Sequence, residues 1–469
     1  MYLCFQGVHP LYTIYQKRIK NTDLWSYRYC EERAILAWHL YNAALFRIRQ
    51  IFTGWDKVTR TLNEQEVFME VSVLETSYPS IHVKKMISYS HLEKLMRVTN
   101  NPDFFSGLPM QTAQAVLKQA VQDFKNWLAA LRVYKKNPSS FTGKPKMPHY
   151  KKAPCTFTIT NQDAVLYGEE LKLPGIKERL QIRNVPDGST LKEVKVTPFY
   201  SQYTISLTLE YAYKPSKSDG SHFASIDFGV DNLASLVVTD GSSAIYKGGA
   251  VLSENQWFAK SRAKAVGIIT KGHTRLHAKS NYLDRLSIHH ENFIKDQLHK
   301  ISRSIISFCI EHKASVLVLG QNKLWKQRTN IGDSNNQNFV QMPINRLMQM
   351  IEYKAIMAGI TVVYQEESYT SKASFIDKDR IPVYGKNDHD AAFSGTRIKR
   401  GLYKCGNGEV INADLNGAAN ILRKAFPYAW NHRACMSVFS DFSFLKNPEV
   451  FGFHELNPKG IPVKRIMGA

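Results

Sequence analysis

Three short apolar runs in the second half of the chain, at 224–238, 315–319 and 360–364, limit its possible folds more than any other feature. The later two each follow a stretch of helical periodicity. Ile294, Leu298, Ile301, Ile305 and Phe308 form one stripe before the second run. Ile344, Leu347, Met348, Ile351 and Ala355 form another before the third. A continuous apolar run reads as a strand covered on both faces, so this half is expected to be α/β, with an open sheet. The first run, ASIDFGVDNLASLVV, carries a Gly and an Asp-Asn step, which predicts strand, tight turn, strand.

The first half reads differently. Residues 1–20 hold short aromatic and β-branched runs, expected to form one or two strands. From 25 to 134 the apolar positions recur every three or four residues, as in Ile35, Trp38, Asn42, Leu45 and Ile48, which predicts a helical bundle. The stretch 135–152, KKNPSSFTGKPKMPHYKK, is a basic, Pro- and Gly-containing linker. Alternation from 155 to 213 predicts a β-rich block closed by a second charged linker. Residues 370–411 read as polar and irregular. A final helix is expected at 414–424, before an aromatic-rich tail.

The chain of 469 residues carries 62 Lys and Arg against 40 Asp and Glu, a formal charge of +22. Such an excess points to a polyanionic partner, because neutralising phosphates releases their counterions. No apolar run reaches the roughly 18 residues of a membrane-spanning helix, and the N-terminal stretch does not read as a secretion signal. Six cysteines are scattered with no CxxC pair, which fits a reducing, cytoplasmic setting and gives no support to a zinc site. A GxxxxGK[ST] phosphate loop is absent.

Candidate chemistry rests on carboxylates. Asp227 ends the first apolar strand. Glu366 and Glu367 follow the third, at the carboxyl end where open α/β sheets gather their ligands. Asp414 stands at the start of the last helix, where it could cap the helix or face the first strand. Adjacent glutamates point to opposite faces of an extended chain, so the alternative reading of the pair is a solvated acidic loop. Hydrolysis of a phosphodiester with two divalent cations needs such hard oxygen ligands around ions about 3.5–4 Å apart.

The segments IDFGVDNLASLVVTD, QEESYTSKASF and KRGLYKCGNGEVINADLNGAANILRK resemble the TnpB (OrfB) proteins of bacterial insertion sequences, RNA-guided DNA nucleases ancestral to the type V CRISPR effectors. The resemblance is specific over about 221–425. It implies a multidomain α+β chain. The first part of a β-rich wedge domain lies at 1–20, a helical recognition lobe at 21–140, and the rest of the wedge with basic linkers at 141–220. A RuvC-like nuclease domain of RNase H-like fold lies at 221–369, an inserted target-binding segment at 370–411, and the end of the nuclease domain with the tail at 412–469. It implies DNA cleavage at one site by Asp227, Glu367 or Glu366, and Asp414. Two Mg²⁺ ions would be held by Asp227, Glu367 and Asp414. The expected partners are a guide RNA and double-stranded target DNA with a short flanking motif, with no membrane association, a monomer favoured, and a nucleoid-associated location.

Two departures from the family pattern stand out. Gly320 occupies the strand end where the family carries a glutamate, so the second acidic ligand is expected to have moved to Glu367 or Glu366. That same glycine is the feature favouring an alternative, a nuclease-silent RNA-guided DNA-binding protein. The family's four-Cys zinc ribbon is also missing: Ala373 and Ser374 occupy its first part and Cys405 alone remains, so zinc is not expected. The insert would then act through Lys372, Lys378, Arg397, Lys399 and Arg400. Tyr369, Ser371 and Lys372 are expected near the scissile strand. Lys323, Trp325, Lys326 and Arg328 interleave a flat ring with cations, a pattern suited to bases and backbone. Lys144, Lys146, Lys151 and Lys152 are expected on guide RNA, and His273, His277, His289 and His290 are read as surface or RNA-facing residues.

Overall fold

The computed structural model describes residues 9–183, 185, 187–213, 220–272, 280–321, 342–383, 392–430 and 442–457. The chain divides into two compact units, Met1–Lys214 and Pro215–Ala469. Among the described residues no helix is long and apolar enough to cross a membrane.

The first unit contains strand β1 (His9–Ile19), helices α1 (Leu24–Gly54), α2 (Leu62–Ser77), α3 (Tyr89–Val98) and α4 (Met110–Lys136), and strands β2 (Phe157–Thr160) to β7 (Gln202–Tyr213). β1, β7, β6 (Thr190–Phe199) and β2 form an antiparallel sheet in that order. β3 (Val165–Tyr167), β4 (Glu170–Lys172) and β5 (Arg179–Gln181) make a small second sheet. One apolar core joins the helices and both sheets. α2 starts on a reciprocal cap: Thr61 Oγ accepts from the Glu64 N–H, and the Glu64 carboxylate accepts from the Thr61 N–H.

The basic linker ahead of β2 is fastened by its main chain. Asn42 brackets Lys151, accepting from its N–H and donating to its C=O, both at 2.9 Å. Trp38 Nε1 donates to the same carbonyl at 2.6 Å, and Trp127 Nε1 donates to the Pro145 C=O at 3.1 Å. Lys144, Lys146 and Lys152 are exposed. Lys151 instead lays its ammonium 3.7 Å from the centre of the Tyr41 ring, a contact made within the fold.

The second unit is built on a six-stranded sheet in the order β12-β11-β8-β9-β10-β16. β8 (His222–Asp227), β9 (Asn232–Val238) and β10 (Ser243–Lys247) form an antiparallel meander. β11 (Ala314–Gln321) runs parallel to β8, and β12 (Thr361–Glu366) parallel to β11. β16 (Glu449–Phe451) adds to the far edge beside β10. Between them come α5 (Gly249–Ile269), α6 (Asn281–Glu311) and α7 (Ile344–Met357), followed later by α8 (Ala413–Ala425).

The inner strands β8, β9 and β11 are covered on both sides, as their apolar runs require; β12, at the sheet edge, has no buried residue, so the run at 360–364 does not mark a doubly covered strand. Leu317 and Leu319 join Ala224, Ile226 and the inner stripes of α6 and α7 in one core, while Val318 faces the other way among Leu415, Ala418, Ala419, Ile421 and Leu422 of α8. α8 approaches closely: its contact face is mostly small, and Ser225 Oγ donates to the Ala418 C=O at 2.7 Å.

The stretch expected to be irregular is only partly so. β13 (Thr396–Lys399), β14 (Leu402–Lys404) and β15 (Val410–Asn412) form a small antiparallel sheet ahead of α8. Its strands are only three or four residues long, so alternation had little length in which to show.

Candidate catalytic carboxylate site

β8 and β12 both run parallel to β11, so Asp227 and Glu367 leave the sheet at the same carboxyl edge. Glycines make room for them. A Cβ on Gly417 of α8 would stand 2.5 Å from Asp227 Oδ2. A Cβ on Gly320 would stand 2.8 Å from Glu367 Oε2 and 2.8 Å from Ile421 Cδ1. The position lacking the glutamate of the family pattern is thus filled by the carboxylate of Glu367, arriving from the neighbouring strand.

Asp414 does not cap α8. Asn412 does, its Oδ1 accepting from the N–H groups of Asp414 at 2.9 Å and Leu415 at 3.1 Å. The Asp414 carboxylate is left for other partners: Asn232 Nδ2 donates to Oδ2 at 2.6 Å and Arg397 donates to Oδ1 at 3.1 Å. Arg400 pairs with Asp231 beside it. Lys399 is exposed.

The electrostatics of the three acids are unequal. Burial, then the carboxylates of Glu367 and Asp414, push Asp227 well above the usual aspartate range, against a downward pull from Arg397 and the Phe228 N–H. Burial, then Glu366, push Glu367 up to about 7, with Lys424 opposing. Glu367 Oε2 is buried with no hydrogen-bond partner among the described residues. Glu366 is the opposite case. Burial would raise it, but Lys424 and Ser368 hold it below the ordinary glutamate value, with Lys424 Nζ at 2.6 Å and the Ser368 N–H at 2.6 Å.

This donor set suits a hard divalent cation. Two buried like charges and an orphaned carboxylate oxygen are costly without a positive partner. Among the described residues, however, no group of three or more His, Cys, Asp and Glu is drawn tightly enough to hold a metal ion. Asp414 is engaged by Asn232 and Arg397.

Around the site, Tyr369 turns the chain in the left-handed region (φ 66°), and Thr370 Oγ1 donates to the Glu367 C=O at 2.7 Å. Tyr369, Ser371 and Lys372 are exposed, and the Lys372 C=O accepts from Tyr403. Where the family pattern places the ribbon, the segment is knitted by polar side chains. Ser374 bonds Asp377 and Asp379, the Gly406 N–H donates to Asp377, and Asn416 and Asn420 of α8 donate to the Ala373 C=O. Cys405 is buried there.

Several predicted contacts fall elsewhere. Lys323, Trp325, Lys326 and Arg328 lie outside the described residues, as do His273 and His277. His289 and His290 are packed between α5 and α6 and not on an open surface. His290 Nε2 meets Asn255 at 2.8 Å with its ring stacked on Phe258, and His289 faces Glu254 at 3.4 Å. Their Trp257 and Phe258 neighbours on α5 drive this, since an imidazole can bury its flat face against an aromatic ring. Sequence reasoning also missed Asn232, Asn412, Gly417 and Lys424. The run NADLNGAAN held the only hint, a glycine inside an otherwise helical segment.

With this geometry in view, comparison with known proteins is informative. A family described as a probable transposase (OrfB_IS605) matches residues 204–326, and the Cas12f1-like TNB domain matches 345–421. The TnpB-like protein ORF457 of Acidianus two-tailed virus is 29% identical over 221 residues, covering 45% of this chain and 43% of that protein. Over these segments the chain is similar to TnpB-family proteins and to the type V effectors. A CRISPR-associated endodeoxyribonuclease, Cas12f2 of a Micrarchaeota archaeon, is 24% identical over 242 residues, covering 46% of this chain and 40% of that protein. These matches span less than half the length of either relative. A cryo-EM structure of a Cas12f1–sgRNA–target DNA complex aligns over 84% of this chain and 82% of its own at 14% identity and a TM-score of 0.45.

Proposed function

We propose that this chain is a TnpB-family, RNA-guided DNA endonuclease that hydrolyses target DNA at a single RuvC-like site. The observation carrying this reading is the meeting of Asp227 and Glu367, buried and mutually repelling, at the carboxyl edge of the sheet. The strand order, an antiparallel meander with two parallel strands added beside its first member, supports the RNase H-like assignment. Names of relatives support the reaction class.

Asp227, Glu367 and Asp414 would hold Mg²⁺, which when bound supplies activation of the attacking water and stabilisation of the leaving 3′-oxygen. Gly417 and Gly320 fix the two sheet-edge carboxylates by leaving them space. Asn232 orients Asp414 through its amide. Arg397 is the cation now on Asp414, and its transfer to the DNA backbone would release that carboxylate. Tyr369, Ser371 and Lys372 line the chain leaving Glu367 and would meet the cut strand. Lys144, Lys146 and Lys152 would follow the guide phosphates. We assign the first unit to guide and heteroduplex binding and residues 370–411 to target contact.

A second reading keeps RNA-guided binding without cutting. It is favoured by Gly320 and by the absence, among the described residues, of a closed three-acid cluster. One experiment separates the two. The chain, co-expressed with its flanking non-coding RNA, is given matched duplex DNA with and without Mg²⁺. Cutting that requires both RNA and Mg²⁺ supports the nuclease; sound target binding with no cutting by the wild type overturns it.

A further inference from the structure

Glu366 and Glu367 are consecutive, and only Glu367 turns toward Gly320 and Asp227. Lys424 lies on α8, ten residues beyond Asp414, and its side chain is 9% exposed. Its ammonium sits 2.6 Å from Glu366 Oε2 and donates to the Ser368 C=O at 2.9 Å. Ser368 N–H in turn holds Glu366 Oε1 at 2.6 Å. Glu366, Ser368 and Lys424 therefore form a closed set of charge-assisted hydrogen bonds on one side of the strand end. Glu367 is directed to the other side, toward Gly320 and Asp227.

A buried ammonium must have an anion, and removing its partner is far more costly than replacing the pair. Two carboxylates are near enough to serve Lys424. Glu366 is in contact with it, and Glu367 feels its field. Glu367 Oε2 has no other partner among the described residues. Were Glu366 absent, Glu367 would be the anion left for Lys424.

Resting on the nuclease reading above, we infer that Glu366 is a positioning residue: by pairing with Lys424 it keeps that lysine off Glu367 and leaves Glu367 for a divalent cation. Glu366 itself binds no metal. The inference gives opposite signs to variants that simple structural damage would rank together. Glu366→Ala frees the ammonium to pair with Glu367. Lys424→Met leaves no ammonium to compete. The double variant Glu366→Ala with Lys424→Met removes both charges and restores Glu367.

The test uses the full-length chain and Mn²⁺ alone as the probe, reading the thermal shift as the ion is titrated, with Mn²⁺-dependent DNA cutting as a second readout. Glu366→Ala should raise half-saturating Mn²⁺ by about tenfold, the range seen when the outer partners of metal ligands are lost. The double variant should return to within about threefold of wild type, and Lys424→Met alone should not weaken binding. Rescue of this kind cannot come from a lost ligand or a damaged fold. A double variant as weak as Glu366→Ala, or weaker, overturns the inference and makes Glu366 a ligand or a purely structural residue. A wild type that shows no Mn²⁺ shift, or one that Glu367→Gln leaves unchanged, overturns the underlying nuclease reading instead.

Discussion

Two glutamates, one in each unit, respond to burial in opposite ways. Glu64 in α2 is 2% exposed, yet its carboxyl lies at about 2, because Lys57, the Thr61 N–H and Thr53 all serve it. Glu367 at the sheet edge is pushed up to about 7, with one oxygen left without a partner among the described residues. Residue type is shared; Glu64 is closed off from solvent and Glu367 is half-buried, and the supply of donors differs more still. The helical unit spends its polar groups on holding itself together. The sheet edge leaves a carboxylate unsatisfied, and such unsatisfied, perturbed groups concentrate where a protein acts on something else.

The sharpest way to break this contrast is to remove the other half of the buried pair. Asp227→Asn should lower DNA cutting by about a thousandfold or more, as loss of a central charge-stabilising group does, with guide binding held within twofold. Equal loss of RNA binding would place Asp227 in the structural class with Glu64. Next in size is Gly417→Ala. Alanine favours a helix over glycine by roughly 1 kcal/mol, but its Cβ must displace Asp227 Oδ2. Melting temperature should hold while cutting falls by about a hundredfold, since misplacing a reacting group by 1 Å costs that much.

The pH dependence of stability sharpens the contrast, because the signs are opposed. In the metal-free protein Glu367 holds a proton more tightly folded than unfolded. Its contribution is full below pH 4.5 and is lost as pH rises to about 7, a swing of roughly 3 kcal/mol that Glu367→Gln should flatten. Glu64 is held below its ordinary value, so its contribution is present above pH 4.5 and fades as pH falls toward 2, a limb that Glu64→Gln should remove. Urea melts at a series of pH values would read both limbs; a common sign would end the comparison. The smallest effect is at the basic linker. Replacing Lys144, Lys146 and Lys152 with Ala should leave the melting temperature alone and reduce the slope of log affinity for RNA against log salt by about two. Lys151→Ala should behave differently, loosening the fold through Tyr41.

How much of this could be read from the chain depends on the range of the forces involved. The core strands were legible because both faces are covered, which writes continuous apolar runs into sequence at 224–238 and 315–319. Strand ends followed by acids were legible for the same reason. The different surroundings of Glu366 and Glu367 were not, since the partner of Glu366 is Lys424, distant in the chain and adjacent in space. Nor was the capping of α8: Asn412 and Asp414 are both good caps, and backbone geometry decides between them. The sheet at 396–412 was hidden by the shortness of its strands. The half-buried packing of the histidines of α6 was not legible because their aromatic neighbours come from another helix.

The linker at 143–152 is tied down through carbonyls and one amide, by Trp38, Asn42 and Trp127. Anchors of that kind do not depend on which side chains the linker itself displays. Mutational drift at its exposed positions therefore leaves the path of the chain untouched, so the charge the linker displays can change while the scaffold beneath it stays as it is.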